Sequence, residues 1–391
     1  MEKKMLVIIS AFILALCAGS VFAVSIAKTV YPSDGVPIVN VLADGSLGVV
    51  PDGRTDCSEG LQKAIDLCDS KGGGTVFLPA GEYLLEGSVS IPQGVVLRGD
   101  WQDPQDTEKP AFGTVIIARP EPLAPEEKDD TMARPLFTLS GNSGIIGLTV
   151  YYPLQSAENP VPYGFTMLMD KVSCSTLRRI TLINSYRGVS AEGQHELCQL
   201  EKLRICALDK AVLMDASTDV GYTSDLRISP DFWLKAGKYS CPSPAALKSW
   251  CLGNAEGLVM GWLDDETLSE IYIDGCKTGM HFLPKQFWGL LYEVHIKNCK
   301  TGILCENLHD WAGAVMSRGE IEGTEDAVVC NSRVGMLKLC GMKIRGRVSG
   351  RRYMVNDADL SFAPPLTHGS YKEPARQLYV VETAGYSRQP K

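Results

Sequence analysis

The sequence predicts an all-β protein whose body is a parallel β-helix, and the main reason is a repeat of about 23 residues. Six three-residue cores share one apolar pattern, and their last residues are separated by 23, 45, 23, 25 and 23 positions. A period in the low twenties fits coils of two or three short strands. Each strand then pairs with its equivalent one coil away, about 4.8 Å along the axis. The cores are Leu203-Arg204-Ile205, Leu226-Arg227-Ile228, Ile271-Tyr272-Ile273, Val294-His295-Ile296, Gly319-Glu320-Ile321 and Met342-Lys343-Ile344.

A second observation fixes the register of the repeat. The segment Gly275–Met280 matches the segment Asn298–Ile303, and both contain the letters Cys-Lys-Thr-Gly. Equivalent inward residues of stacked coils lie on top of one another, so we expect Cys276 to contact Cys299. A leucine-rich repeat has a similar period, but its Leu-x-x-Leu-x-Leu-x-x-Asn pattern is absent from this sequence.

The third observation is a predicted N-terminal cap over about residues 40–75. Asp56 or Ser58 can begin a helix that runs from Glu59 to Cys68. Its apolar residues recur at helical spacing and can cover the end of the first coil. The glycines at 72–74 then turn the chain into a strand, Thr75–Leu78. These glycines precede a strand rather than open a helix, which disfavours a phosphate-binding loop.

The composition is that of a folded protein without a nucleic-acid partner. The chain has 391 residues, of which 45% are hydrophobic and 21% are charged. These values exclude an intrinsically disordered chain. The formal net charge of −8 provides no basic surface for phosphate groups, so we expect no nucleic-acid binding.

Residues 1–23 are predicted to be an export signal. Lys3 and Lys4 precede an apolar run, Met5–Gly19, and Ala23 ends a small-x-small cleavage pattern. An uncleaved or lipidated anchor at Cys17 is the alternative. We therefore expect a secreted or cell-surface protein, residues 24–391, that forms one β-helix domain and meets a membrane only through the signal. No later segment has 18 uninterrupted apolar residues.

The 13 cysteines form no Cys-x-x-Cys or Cys/His metal pattern, so we expect no metal site of that type. Several occupy apolar strand positions, where cysteine acts as a small hydrophobic residue. The best disulfide candidate is Cys241 with Cys251, in an insertion at about residues 234–256. A region rich in Pro, Asp and Glu, about residues 101–135, predicts another long loop, and such loops often wall a binding groove.

Most of residues 40–350 resemble a known family, with the more specific match in the opening and a looser match later. The stretch Gly48–Asp56, the helix after it and the stretch Gly72–Tyr83 resemble the opening of the pectate lyase superfamily domain. That domain is shared by rhamnogalacturonase-like, epimerase-like and exo-1,3-glucanase-like proteins. The stretches Gly144–Pro153 and Ile228–Trp233 resemble later landmarks of the glucanase-like members. The resemblance implies a right-handed, single-stranded parallel β-helix that acts on or binds a polysaccharide.

The sequence also departs from the family pattern. Pro51 stands where the pattern has Gly, and Cys57 stands where it has Asp. The Asn-Thr-Asp, Gly-His-Gly and Arg-Ile-Lys elements of polygalacturonase-type members are absent. The resemblance therefore transfers no catalytic residue to this chain, and candidates must come from the strand pattern.

Strand alternation predicts which side chains face outward. If the last residue of each core points inward, the middle residues form an outward row, and the residues two positions earlier lie on the same face. The first row contains Arg204, Arg227, Tyr272, His295, Glu320 and Lys343; the second contains Lys202, Asp225, Glu270, Glu293 and Arg318. The predicted wall is thus a mixed-charge surface with an aromatic residue and a histidine.

A glycoside hydrolase needs two carboxyl groups about 5–9.5 Å apart, one of them protonated as the acid. Residues on the same face one or two coils apart fit this separation. Glu293 with Glu320, or Glu270 with Glu293, are therefore candidate catalytic pairs. Asp264 and Asp265 adjoin a strand and are further candidates for an acid or for cation ligands.

A polysaccharide lyase instead needs a base that removes the proton α to a uronate carboxylate, and a cation that offsets charge. Arg204, Arg227 and Lys343 can supply the positive charge. Calcium is expected only if the protein is such a lyase, and otherwise no cofactor is expected. Tyr272, His295, Arg227 and Trp233 are the candidate substrate-binding residues.

Each candidate also has a structural interpretation. Exposed sheet faces carry mixed charges that aid solubility and register, so each carboxylate can be structural. His295 can be a cross-strand partner of Glu320 or Tyr272. Two interpretations are open for the tryptophans at 233, 288 and 311, which can stack on sugar rings or serve as buried loop anchors. The sequence leaves three functions open: a polysaccharide hydrolase, which we favour, a lyase, and a non-catalytic glycan-binding protein.

Overall fold

The computed structural model describes residues 38–105, 113–193, 195–356 and 379–381. The predicted export signal lies outside these residues. The strands are β1 (Ile38–Asn40), β2 (Asp52–Asp56), β3 (Gly74–Leu78), β4 (Gly81–Leu85), β5 (Val89–Ile91), β6 (Val95–Gly99), β7 (Thr114–Ala118), β8 (Phe137–Leu139), β9 (Gly144–Tyr151), β10 (Phe165–Asp170), β11 (Thr176–Ser185), β12 (Arg187–Glu192), β13 (Gln199–Ala207), β14 (Lys210–Met214), β15 (Tyr222–Ile228), β16 (Glu256–Met260), β17 (Leu263–Asp274), β18 (Thr278–Phe282), β19 (Phe287–Cys305), β20 (Ala314–Cys330), β21 (Leu337–Gly350), β22 (Tyr353–Asn356) and β23 (Tyr379–Val381). The α-helices are α1 (Ser58–Ser70), α2 (Asp231–Leu234) and α3 (Pro244–Asn254), and short 3₁₀ turns span Gly45–Leu47, Pro125–Glu127 and Gly237–Tyr239.

Apart from β23, which pairs antiparallel with β22, the strands form three parallel sheets that run along the axis of a β-helix. The first sheet contains β1, β3, β6, the N-terminal parts of the long strands from β9 to β21, and β22. The second sheet contains β2, β4, β7 and the following parts of the long strands. The third sheet runs from β5 and β8 through β18 to the ends of β19, β20 and β21. The predicted parallel β-helix is thus confirmed.

The predicted register is confirmed residue by residue. Leu226 is opposite Ile271, which is opposite Val294, and the same row continues through Gly319 and Met342. The inward side chains of these rows form one continuous apolar core along the axis. Burial of apolar side chains in such stacked rows is the main favourable contribution to folding of a solenoid. The expected contact between the Cys276 and Cys299 thiols is also present, and both side chains are buried.

The bend between the first and second sheets uses a left-handed residue in six coils. Its φ lies between 48° and 62°, a region that non-glycine residues rarely occupy. This residue breaks the strand alternation, because two consecutive side chains then lie outside the core. Glu270 and Glu293 therefore lie at a corner and not on the face predicted for them, which is a correction. The six residues are Arg179, Lys202, Asp225, Glu270, Glu293 and Arg318.

Helix α1 replaces a third-sheet strand in the first coil and packs against the adjacent strands. Leu61, Ala64 and Ile65 are buried in the same core as the strands, as the apolar spacing predicted. The helix begins at Ser58, whose backbone N–H donates to Oδ1 of Asp56 at 3.0 Å. The predicted N-terminal capping helix is therefore confirmed and extends to Ser70.

Both predicted loops contain regular structure. Strand β7 lies within residues 101–135 and pairs with β4 and β9, because its sequence Thr-Val-Ile-Ile-Ala is apolar and β-branched. The insertion at 234–256 contains α3, which has a proline in its first turn. Among the described residues, no helix is long and apolar enough to cross a membrane.

The predicted disulfide between Cys241 and Cys251 is not formed. Both cysteines are free and buried in an apolar cluster beneath the insertion. The thiol of Cys251 contacts that of Cys206 instead. These cysteines act as small hydrophobic side chains that anchor the insertion to the β-helix.

Candidate functional site

A cleft of about 790 Å³ lies on the outer surface of the second sheet. We call it the second-sheet cleft. Its floor is formed by β15, β17 and β19, and α2 with the chain that follows it forms one side. Its lining residues are Pro104, Gln105, Thr181, Arg227, Ile228, Ser229, Asp231, Phe232, Lys235, Ala236, Tyr272, Ile273, Asp274, His295, Lys297 and Asn298.

Three stacked side chains form the floor of the cleft. Arg227, Tyr272 and His295 occupy equivalent positions in successive coils. The guanidinium of Arg227 lies 4.2 Å from the centroid of the Tyr272 ring, a cation–π contact. The Tyr272 and His295 rings are nearly parallel, with centroids 4.8 Å apart and an angle of 4° between their planes. The structure therefore brings together three of the four predicted substrate-binding residues.

The surroundings keep both floor rings uncharged at neutral pH. Burial lowers the pKa of His295, and Lys297 and Arg227 act in the same direction, while Glu293 and Glu320 oppose them. Burial raises the pKa of Tyr272, and the nearby Glu293 raises it further. A neutral imidazole is able to accept a proton, and a protonated phenol is able to donate one.

The lining of the cleft carries more positive than negative groups. Its cations are Arg227, Lys235 and Lys297, and its carboxylates are Asp231 and Asp274. Lys235 pairs with Asp231 at 2.6 Å. The amide of Asn298 donates to Asp274 at 2.6 Å. The lining thus has one more cation than carboxylates in a chain whose formal net charge is −8, and this excess favours an anionic ligand. Just outside the lining, Glu320 pairs with Lys297 at 2.9 Å and Asp225 pairs with Arg227 at 3.1 Å.

The N-terminal wall of the cleft is the segment 100–105. The indole N–H of Trp101 donates to Oγ1 of Thr181 at 2.9 Å. The guanidinium of Arg204 binds both carboxylate oxygens of Asp103, at 3.1 and 2.7 Å, and these two side chains are almost fully buried. Arg204 also binds Asp225 at 2.8 Å, and Asp225 in turn accepts from Nε of Arg227 at 3.1 Å. This chain of ion pairs links the wall to the floor.

Arg204 was predicted on the exposed face as a charge-offsetting group, and this is corrected. Only 2% of its side chain is exposed, because segment 100–105 covers it. Burial alone would raise the pKa of Asp103, but hydrogen bonds from Arg204 hold that pKa below its ordinary value. Arg204 therefore supports the cleft wall and does not line the cleft.

The predicted catalytic pair Glu293 and Glu320 does not have the arrangement of an acid and a base. Burial alone would raise the pKa of Glu320, but Lys297 and Arg345 hold it below its ordinary value. A carboxyl group kept ionised in this way is a poor general acid. Glu293 lies at the corner beside the floor and contributes negative charge near Tyr272.

Asp264 and Asp265 lie away from the cleft, at the corner between the third and first sheets. They occupy an irregularity in β17, where the register shifts between Leu263 and Glu266. Oδ1 of Asp264 accepts a hydrogen bond from the indole of Trp262 at 3.3 Å. Neither aspartate lines the cleft, so the two cannot act on a ligand bound there.

Trp233 is the fourth predicted binding residue, and it is buried. Only 2% of it is exposed, and it packs in the apolar cluster that holds α2 against the β-helix. The alternative interpretation, a buried loop anchor, is therefore correct for this tryptophan. It cannot stack on a sugar ring in the cleft.

Two pairs of lining residues were not predicted from the sequence. Asp274 and Lys297 are opposite one another in register, one position after the inward isoleucines. Extending the outward row by two residues would have found them. Asp231 and Lys235 lie in and just after α2, and no strand pattern predicts their direction. Among the described residues, no group of three or more His, Cys, Asp and Glu side chains could hold a metal ion.

Comparisons with known proteins support the family resemblance. Residues 38–159 match the family described as rhamnogalacturonase A/epimerase, pectate lyase-like. Alginate lyase 7 of Azotobacter vinelandii is 42% identical over 50 residues, and the mannuronan C5-epimerase AlgE1 of the same organism is 42% identical over 60 residues. These matches cover 13% and 14% of this chain but only 6% and 4% of the length of the relatives.

Solved structures show the same fold at low sequence identity. The Dettilon tailspike protein has a TM-score of 0.56 and 14% identity, over 82% of this chain and 62% of that chain. A mutant tailspike protein of E. coli bacteriophage HK620, in complex with a hexasaccharide, has a TM-score of 0.51 and 14% identity, over 82% and 61%. Residues 38–159 therefore match the pectate lyase-like family, as the opening residues predicted, and the solved structures share the fold of the chain.

Proposed function

We propose that the second-sheet cleft binds a uronate-containing polysaccharide and cleaves it by β-elimination, with His295 as the base. The observation that carries this proposal is the stack of Arg227, Tyr272 and His295 on the cleft floor. It combines a cation, a proton donor and a proton acceptor in three successive coils. Proton removal next to a carboxylate requires these three groups.

The charge of the cleft supports an acidic substrate. Arg227, Lys235 and Lys297 outnumber the carboxylates Asp231 and Asp274. Cationic side chains bind carboxylates through charge-assisted hydrogen bonds. Two of the relatives are named for alginate and mannuronan, which are polymers of uronic acids.

The proposed reaction involves two proton transfers, one from the substrate to His295 and one from Tyr272 to the leaving oxygen. The imidazole of His295 takes the proton from carbon 5 of the uronate. The electron pair left behind forms the C4–C5 double bond as the bond from C4 to the glycosidic oxygen breaks. The phenol of Tyr272 donates its proton to that leaving oxygen. Arg227 and Lys297 offset the negative charge that develops on the carboxylate. His295 then releases its proton, and Tyr272 regains one from water.

A hydrolase was the function favoured by the sequence, and the site supports it less well. Hydrolysis needs a protonated carboxyl group beside the glycosidic oxygen. Glu320 is held ionised by Lys297 and Arg345, and Asp231 is paired with Lys235. We therefore place hydrolysis second and non-catalytic glycan binding third.

One assay separates the three functions. The mature protein is incubated with polygalacturonate, alginate and neutral glycans, and both reducing ends and the ultraviolet absorbance of unsaturated uronates are recorded. β-Elimination produces both signals, hydrolysis produces reducing ends alone, and binding without catalysis produces neither. Reducing ends without absorbance, or neither signal on any polyuronate, would contradict the proposal.

Variants of the floor test the assigned roles. His295→Gln and Tyr272→Phe should each lower kcat by at least about 100-fold, the usual contribution of a general base or acid. Glu59→Gln is the control, because Glu59 is exposed on the surface of α1 and does not line the cleft. Each assay is run with added calcium and with a chelator. Equal rates are expected, because Arg227 and Lys297 supply the positive charge.

We also propose that the protein is exported and acts outside the cytoplasm. The support is the charged start, apolar run and small-x-small pattern of residues 1–23. Protein recovered from culture medium should begin at Val24. Intact Met1 on the recovered protein would contradict cleavage.

A further inference from the structure

A cluster of aromatic rings, of which Trp311 is exposed and Trp288 and His309 are partly buried, lies at the corner between the third and first sheets. We call it the tryptophan patch, and it consists of Trp288, His309 and Trp311. The ring centroids of Trp288 and Trp311 are 5.1 Å apart, and those of His309 and Trp311 are 5.0 Å apart. Trp311 is 72% exposed, the largest exposed fraction among the large hydrophobic residues that the structure describes. Exposing an indole to water is unfavourable, so this arrangement favours a ligand that covers it.

Carboxylates border the tryptophan patch on two sides. Asp310 is exposed, its carboxylate accepts from the backbone N–H of Trp311 at 2.8 Å, and it lies 3.2 Å from Nδ1 of His309. One coil earlier, Asp264 and Asp265 together stand opposite Trp288, because the register shifts by one residue there. The two aspartates that the sequence suggested as catalytic thus form part of this border.

Trp262 extends the aromatic surface along the axis. It is 40% exposed, and its indole N–H donates to Asp264 at 3.3 Å. Trp262, Trp288 and Trp311 lie in three successive coils, so the surface spans about 10 Å along the axis. None of these residues lines the second-sheet cleft, and the patch is therefore a separate surface.

We propose that the tryptophan patch is a second glycan-binding site, selective for a neutral saccharide. A pyranose ring has an apolar face of C–H groups and a rim of hydroxyl groups. The apolar face can pack on the exposed indole of Trp311, and the hydroxyls can donate hydrogen bonds to Asp310 and Asp264. The same carboxylates repel a polyuronate. The patch and the cleft therefore select different glycans, and the patch does not depend on the function proposed for the cleft.

Affinity gel electrophoresis with soluble neutral polysaccharides tests the proposal. The gels contain a β-1,3-glucan, a galactomannan, an arabinoxylan or dextran, and a polygalacturonate gel is the charged comparison. Wild-type protein should be retarded in at least one neutral gel. Trp311→Ala should weaken that retardation about tenfold, because a lost aromatic contact of this kind is worth roughly that factor. Asp310→Asn should weaken it as well.

Two controls separate the patch from other surfaces. Leu154→Ala removes a side chain that is 59% exposed elsewhere on the molecule, and it should leave the retardation unchanged. His295→Gln, in the cleft, should also leave it unchanged. Retardation of the wild type in no neutral gel, or equal retardation of Trp311→Ala, would overturn the proposal. Sedimentation velocity provides the last check. A dimer that dissociates on Trp311→Ala would show that a second copy of the chain covers the patch, and would also overturn it.

Discussion

Glu266 is a carboxyl group buried in the core of the β-helix. It is 0% exposed, and its side chain fills the space beside Gly221. Burial raises the pKa of Glu266 to about 8, and the charge of Asp265 acts in the same direction, whereas a backbone hydrogen bond from Gly221 opposes them. The folded protein therefore holds a proton at neutral pH that the unfolded chain has released. Its contribution to stability is full below the unfolded pKa, near 4.5, and is lost as the pH rises through about 8.

Glu266→Gln should remove this pH dependence. Between pH 5 and pH 9 the wild type should lose several kcal/mol of unfolding free energy more than the variant, on the order of 4 kcal/mol. Guanidinium unfolding of both proteins at these two pH values measures the difference. Equal losses in the two proteins would show that Glu266 is not the titrating group.

The pH profile of activity depends on two residues of the cleft floor. The pKa of His295 is lowered, so the base is neutral down to a pH below the ordinary histidine value of 6.5. The pKa of Tyr272 is raised, so the acid keeps its proton above the ordinary value of 10. We expect kcat/KM on a polyuronate to be flat between these limits, and to fall below pH 6.5 only as His295 is protonated. An acid limb with a midpoint at or above 6.5 would contradict the role of His295.

At the scale of elements, the wall segment 100–105 depends on one buried ion pair. Asp103→Ala leaves the buried charge of Arg204 with Asp225 as its remaining carboxylate partner. Loss of one partner of a buried pair is strongly destabilising, and we expect a cost of about 3 kcal/mol in unfolding free energy. The KM for a polyuronate should also rise, because the wall carries Pro104 and Gln105 into the cleft.

The exposed pair Glu59 and Lys63 is the matched control for this experiment. It lies on the surface of α1, so Glu59→Ala should change stability little. Urea unfolding and steady-state kinetics of both variants decide the matter. If Asp103→Ala is no more destabilising than Glu59→Ala, the ion pair does not hold the wall.

The structural elements of the fold also show how much can be predicted from the sequence. Coil length and the inward isoleucines follow from repetition alone, so the row through Ile273 and Ile296 was predicted correctly. The left-handed corner residue was not predicted, because Glu270 and Glu293 are glutamates and this residue type does not indicate a turn. The burial of Arg204 was missed for a different reason. It depends on Asp103, which lies 101 residues away in the sequence, and no local pattern connects the two.

At the scale of the whole molecule, the net charge of the chain is opposite in sign to the charge of the cleft lining. The chain has a formal net charge of −8, whereas the cleft lining has more cations than carboxylates. A polyuronate is repelled by the whole protein at long range and attracted by Arg227, Lys235 and Lys297 at short range. The Debye length is about 30 Å at 0.01 M salt and about 8 Å at 0.15 M. As salt is added, interactions over long distances are therefore screened before those over short distances.

We therefore expect kcat/KM on a polyuronate to pass through a maximum as the ionic strength rises. Low salt leaves the long-range repulsion in place and slows association, and high salt weakens the contacts inside the cleft. Lys235→Gln removes a cation that is 76% exposed at the edge of the cleft. The variant should therefore have a lower maximal kcat/KM, with the residues of the cleft floor unchanged. Steady-state kinetics on a polyuronate from about 0.01 to 0.5 M salt measure this. A steady decline of kcat/KM from the lowest salt concentration would contradict this expectation. It would mean that the attraction of the cleft for a polyuronate exceeds the repulsion by the whole chain at every distance.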